Sequence, residues 1–128
     1  MGSNGRLDSM IPTTYGILQQ KQVAAALIAV DKTAISMTYM RYVYSDYAAI
    51  NVTPDTIATS ITKIDTGNGT TWATITPTSG TGDYSFRARA ASNNNGTLTR
   101  SMTLRISDNA GIAASVDVTL IQFPNEII

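Results

Sequence analysis

The chain has 128 residues, with nine Lys and Arg against nine Asp and Glu, so its formal charge is zero and only 14% of its residues are charged. That length suits one domain with a real hydrophobic core and room for an appendage. A neutral, weakly charged chain lacks the Lys and Arg excess that holds phosphate backbones and anionic membranes, so neither nucleic acid nor membrane is expected as a partner. Near-zero charge also leaves self-association unopposed by long-range repulsion, and a homo-oligomer or larger assembly is expected.

Histidine and cysteine are both absent. That removes the commonest general base, the commonest metal ligands, the thiolate nucleophile and any disulfide framework. Residues 1–14 read as an irregular arm of small polar residues with Gly2, Gly5 and Pro12. They contain no apolar core of a secretory signal, so no signal peptide is expected there. The longest apolar run, Val23 to Val30, is far too short to span a bilayer. Residues 17–30 are open between helix, which Gln, Lys, Ala and Leu favour, and strand. Residues 22–30 have the length and composition of a buried or docking strand.

From Thr33 the composition turns to strand formers. Residues 33–45, TAISMTYMRYVYS, read as one strand that places Tyr42 and Tyr44 on the face away from the core. AAINVT and TSITKI follow as short strands separated by Pro54 and Asp55. Asn68-Gly69 marks a tight reversal, and Gly80-Thr81-Gly82 reads as another, with positive φ at both glycines. Three later stretches alternate cleanly: Tyr84, Phe86, Ala88 and Ala90; then Met102, Leu104 and Ile106; then Val116, Val118 and Leu120. In-phase strands separated by turns close naturally as an all-β antiparallel sandwich of immunoglobulin-like type. Trp72, Phe86, Leu104 and Val118 are its expected core.

The C-terminal half, about residues 62–122, resembles the BACON domain. The residues that carry the resemblance are Trp72, the Ser79-Gly80-Thr81-Gly82 stretch, the Asn93–Asn95 loop, Arg100 and the closing Gln122. Such domains are immunoglobulin-like sandwiches of gut Bacteroidetes and of the crAss-like phages that infect them. The resemblance implies a fold of residues 32–128, preceded by an arm over residues 1–31. Exported bacterial members sit beside catalytic or sugar-binding domains. This chain, with its long leading arm, looks more like a virion component.

Catalysis finds little support. Glu126 is the sole Glu, the Asp residues are scattered singly, and no Ser-x-x-Lys or phosphate loop is present. No catalytic residue, cofactor or metal site is expected. Asp108-Asn109-Ala110-Gly111 reads as a hairpin turn rather than a Ca²⁺ loop. The Asn-x-Thr triplets at Asn51, Asn68 and Asn95 read as strand and turn chemistry. The expected function is non-enzymatic: an auxiliary, decorating or head-fibre-associated protein on a phage particle. It would hold the major capsid protein, other virion proteins or copies of itself through Ile17, Leu18, Val23, Leu27 and Ile28 of the arm and through Tyr42 and Tyr44. The alternative is a module that binds mucin or capsule glycan by Tyr or Trp stacking.

Overall fold

A computed structural model gives the fold and describes residues 25–125. Among these residues nine strands form two sheets. They are β1 (Leu27–Val30), β2 (Ala34–Met37), β3 (Ala48–Thr53), β4 (Ala58–Asp65), β5 (Ala73–Thr76), β6 (Ser79–Thr81), β7 (Tyr84–Ala90), β8 (Arg100–Asp108) and β9 (Val116–Gln122). One sheet has the order β2-β9-β8-β4-β6 and the other β1-β3-β7-β5. Every pairing is antiparallel except that of β2 with β9.

The period-two pattern decides which side of each strand faces the other sheet. Phe86, Ala88 and Ala90 of β7 are fully buried, as are Met102, Leu104 and Ile106 of β8 and Val118 and Leu120 of β9. Register brings these side chains together across the ladders: Val118 stands opposite Leu104, Ile106 opposite Ile61, and Ala88 opposite Ile75. Trp72 is 3% exposed and its indole N–H donates to the Gly69 carbonyl at 3.0 Å. A buried aromatic thus keeps its one polar atom paired.

The expected boundary between arm and domain at residue 31/32 falls inside the sandwich. β1 pairs with β3, Ile28 opposite Val52, and Ile28 is 4% exposed. At the corner after β1, the Asp31 N–H donates to the Ala49 carbonyl and the Asp31 carboxylate accepts the Ala49 N–H. Two residues later the Thr33 carbonyl accepts the Thr119 N–H. One short segment therefore leaves the four-stranded sheet and enters the five-stranded one. Residues 22–24 of the expected strand, like the rest of the chain before Ala25, lie outside the described residues.

The single strand expected over residues 33–45 is divided. β2 ends at Met37, the chain crosses between sheets over residues 38–41, and residues 42–45 run beside β7. Alternation continues through the crossing, so the sequence does not mark the break. Gly80 is also a correction, because it lies in β6 and has no positive φ. A Cβ there would sit 2.6 Å from Cδ1 of Tyr84, whose hydroxyl reaches the Thr59 hydroxyl at 2.7 Å. Gly82 does take positive φ, at 75°.

Candidate functional site

The outer face of the four-stranded sheet carries the most distinctive side-chain arrangement of the described residues. Arg87 and Arg89 point outward from β7, between buried Phe86, Ala88 and Ala90. Beside them runs the segment from Tyr42 to Ser45. The Tyr42 N–H donates to the Ala90 carbonyl, the Ala90 N–H to the Val43 carbonyl, and the Ser45 N–H to the Ala88 carbonyl. The Ser45 hydroxyl accepts the Ala88 N–H at 2.9 Å and donates to the Asp46 carbonyl at 2.8 Å. A buried hydroxyl therefore replaces a backbone acceptor where the strand is interrupted. β3 then resumes at Ala48, opposite Phe86.

This interruption sets three tyrosines against three arginines. The Arg87 guanidinium lies 3.7 Å from the Tyr44 ring centre and 4.8 Å from that of Tyr47. Arg89 lies 4.7 Å from Tyr42 and 5.6 Å from Tyr44, and Arg41 lies 4.7 Å from Tyr42. The groups thus alternate in a ladder: Tyr47, Arg87, Tyr44, Arg89, Tyr42, Arg41. Each contact falls within cation–π range. Tyr42, Tyr44 and Tyr47 remain 57%, 48% and 52% exposed, so the ladder is an open surface.

A polar hub holds the segment that leads into the ladder. Gln122, fully buried, donates through Nε2 to the carbonyls of Tyr39 and Ser92 and accepts the Arg100 Nε–H at 2.8 Å. Arg100 Nη2 donates to the Ser92 carbonyl, the Ser92 hydroxyl and the Asn93 carbonyl. Burial pushes the Arg100 pKa down from its usual value. The Asn94 N–H donates to the Tyr39 carbonyl, and the Asn93 side-chain oxygen accepts the Arg41 N–H at 2.6 Å. Arg100, Asn93, Asn94 and Gln122, singled out in the sequence, thus come together around the residues that precede the tyrosines.

Other candidate residues separate. Ile17, Leu18 and Val23 lie outside the described residues. Leu27 is exposed, but Ile28 is in the core, so it is withdrawn from the interface set; the pairing of β1 with β3 turns it inward. Phe86, Leu104 and Val118 are fully buried and Trp72 nearly so. Arg41, Arg87 and Arg89 were not expected there, whereas Tyr47 is one of the tyrosines that the sequence offers beside Tyr39, Tyr42 and Tyr44. The alternation of Arg87 and Arg89 was visible, but which strand lay beside them was not.

Two further features have plain structural explanations. The Asp108 carboxylate accepts the N–H groups of Ala113, Ala110 and Ile112, which lowers its pKa and makes the stretch a hairpin turn. At the end of the sandwich away from the ladder, Ala26, Pro54, Ile57, Ala110 and Ile112 line an open apolar depression of about 530 Å³. Among the described residues no group of three or more acidic side chains comes together as a metal ion would need. Among them, too, no helix is long and apolar enough to cross a membrane.

No family model matches the chain, and no curated protein matches it. Solved structures do. A Bacteroides ovatus GH5 xyloglucanase in complex with a XXXG heptasaccharide matches with a TM-score of 0.59 and 14% identity, over 79% of this chain and 20% of that one. The periplasmic chaperone SfaE matches with a TM-score of 0.53 and 16% identity, over 79% of this chain and 58% of that one. The ASH/PapD-like domain 7 of human CEP192 matches with a TM-score of 0.57 and 8% identity, over 93% of this chain and 99% of that one. The chain thus spans about a fifth of the xyloglucanase and somewhat over half of the chaperone. The protein has an all-β, immunoglobulin-like sandwich fold.

Proposed function

We propose that this chain is a non-enzymatic binding module that attaches to another protein through the tyrosine–arginine face of its four-stranded sheet. The observation that carries this reading is the ladder itself. Tyr and Arg are among the residues most enriched at protein interfaces and their energetic centres, and here three tyrosines and three arginines stand side by side at the surface, Arg87 and Arg89 on β7 and the others on the segment beside it. The lack of His and Cys and the single Glu support a role without catalysis.

The setting we propose is a phage particle, with the chain as an auxiliary protein on the capsid or beside a head fibre. It rests on the sequence resemblance of residues 62–122 to BACON domains of crAss-like phages. The test is mass spectrometry of such particles purified on a density gradient. The chain should co-sediment with the major capsid protein at a fixed ratio, and Tyr42→Ala/Tyr44→Ala should release it. A chain absent from intact particles sinks the virion setting.

A glycan-binding reading has one observation in its favour, the solvent-open tyrosines. Against it, the Arg87 guanidinium already covers one side of the Tyr44 ring at 3.7 Å, leaving less of it for a sugar. Titration with mucin and capsule oligosaccharides separates the two readings. Saturable binding that Tyr42→Ala abolishes would favour the glycan module.

A further inference from the structure

We infer that the ladder binds an extended acidic segment of a partner protein, one with carboxylates at alternate positions; this rests on the reading of that face as protein-binding. The two outer faces of the sandwich treat arginine differently. On the five-stranded sheet Arg105 stands opposite Asp117, and its Nε and Nη2 reach that carboxylate at 2.8 and 3.0 Å. Its charge is answered in place. On the four-stranded sheet Arg87 and Arg89 stand opposite Thr76 and Thr74. Among the described residues, neither they nor Arg41 has a carboxylate within 4.0 Å, and none of the three guanidiniums donates a hydrogen bond to another side chain or carbonyl.

A guanidinium that stacks on a ring keeps its in-plane N–H donors free, and a carboxylate meets them two at a time. Even with Asp46 in the same stretch, the face keeps a positive surplus in a chain whose formal charge is zero. Stacking also holds these long side chains in place before binding, which lowers the entropy cost of ordering them. Arg87 and Arg89 are two residues apart on one strand, so their Cα atoms are separated by roughly 6.8 Å. An extended partner repeats its same-side residues at that interval, so Asp or Glu at every second position fits the row. Arg41, stacked on Tyr42, continues it.

The test is fluorescence-anisotropy titration of the full chain with three labelled probes. One is an octapeptide of alternating Glu and Ser, the second the same peptide with Gln for Glu, and the third a polygalacturonate oligomer. The Glu peptide should bind at least about tenfold more tightly than the Gln peptide, and its affinity should fall about tenfold or more between low and high salt. Arg87→Gln/Arg89→Gln should lose the same factor, whereas Arg105→Gln on the opposite sheet should lose none. If the double variant does not fold, Arg41→Gln alone should still weaken the Glu peptide. Equal binding of the Glu and Gln peptides, or indifference to the ladder arginines, overturns the inference and leaves the protein-binding reading to the particle experiment. Polygalacturonate binding tighter than the Glu peptide and dependent on Arg87 and Arg89 overturns both.

Discussion

Replacing Gln122 by Leu keeps the side chain's approximate volume and removes its amide from the hub that holds Tyr39 ahead of the ladder. Gln122 is fully buried, so nothing from solvent takes the amide's place. Two of its partners are only half abandoned. The Tyr39 carbonyl keeps the Asn94 N–H at 2.8 Å, and the Ser92 carbonyl keeps Arg100 Nη2 at 3.1 Å. The Arg100 Nε–H, whose acceptor at 2.8 Å is the Gln122 amide oxygen, loses it. A charged donor left unpaired costs about 1.5–3 kcal/mol, and the two weakened carbonyls together add about 1 kcal/mol. The sum, about 2.5–4 kcal/mol, is a large share of a typical net stability of about 5–15 kcal/mol. For a domain of this size it corresponds to a fall in Tm of roughly 10 °C. Circular-dichroism melts with a parallel urea titration read it directly. A Gln122→Leu midpoint within about 2 °C of the parent, with an unchanged urea slope, would refute the assignment of the hub as a stabilising network.

Gly82→Ala should destabilise more than Gly111→Ala, although both positions have positive φ, at 75° and 72°. A Cβ at Gly82 meets the Asp55 carbonyl oxygen at 2.9 Å while one at Gly111 meets nothing within 4 Å. Strain alone gives about 1 kcal/mol at Gly111, and the collision raises Gly82→Ala to about 2 kcal/mol or more; equal urea midpoints would contradict this. Acid should unfold the protein only at low pH. Asp65 is held below its ordinary pKa by the N–H groups of Gly67 and Gly69, and Asp108 by those of Ala113, Ala110 and Ile112. Asp117 is held down by Arg105. Groups with lowered folded-state pKa contribute stability that is fully present above the unfolded value of about 3.9 and is lost as pH falls through the folded value. The Tm should therefore hold level down to about pH 5 and drop below about pH 4. A transition between pH 6 and 7 in this His-free chain would contradict that account. A chain beginning at Lys32 loses β1 and buried Ile28 and uncovers the edge of β3. It should be at least about 3 kcal/mol less stable than one beginning at Ala25 and more prone to aggregate. Equal melts would place β1 outside the cooperative unit.

Much of the sandwich was legible because period-two alternation is a local signal. The phase of Phe86, Leu104 and Val118 told which faces were buried, and the turn residues Asp108 to Gly111 told where β8 reverses into β9. The breaks in pairing were not legible where alternation ran on across a change of sheet, as between Ile35 and Tyr44. Nor was the end of the arm, because the apolar run Val23 to Val30 that holds β1 reads alike as a helix, a docking strand or an edge strand until its partner β3 is known. Gly80 shows the same limit. A missing side chain can signal a turn or room for a ring, and only the position of Tyr84 decides between them.

The candidate site divides along the same line. Composition alone excluded histidine and thiolate chemistry, and sequence spacing alone put Tyr42 and Tyr44 on one side of a strand and Arg87 and Arg89 on one side of another. Their union depends on register, set by the backbone bonds of residues 42–45 to Ala88 and Ala90 and by the Ser45 hydroxyl at the interruption. A slip of one residue would turn either row inward. Sequence by itself determines the alternation within each strand, because side-chain direction follows from local backbone geometry. Only tertiary structure decides which rows meet, because pairing joins residues more than forty positions apart.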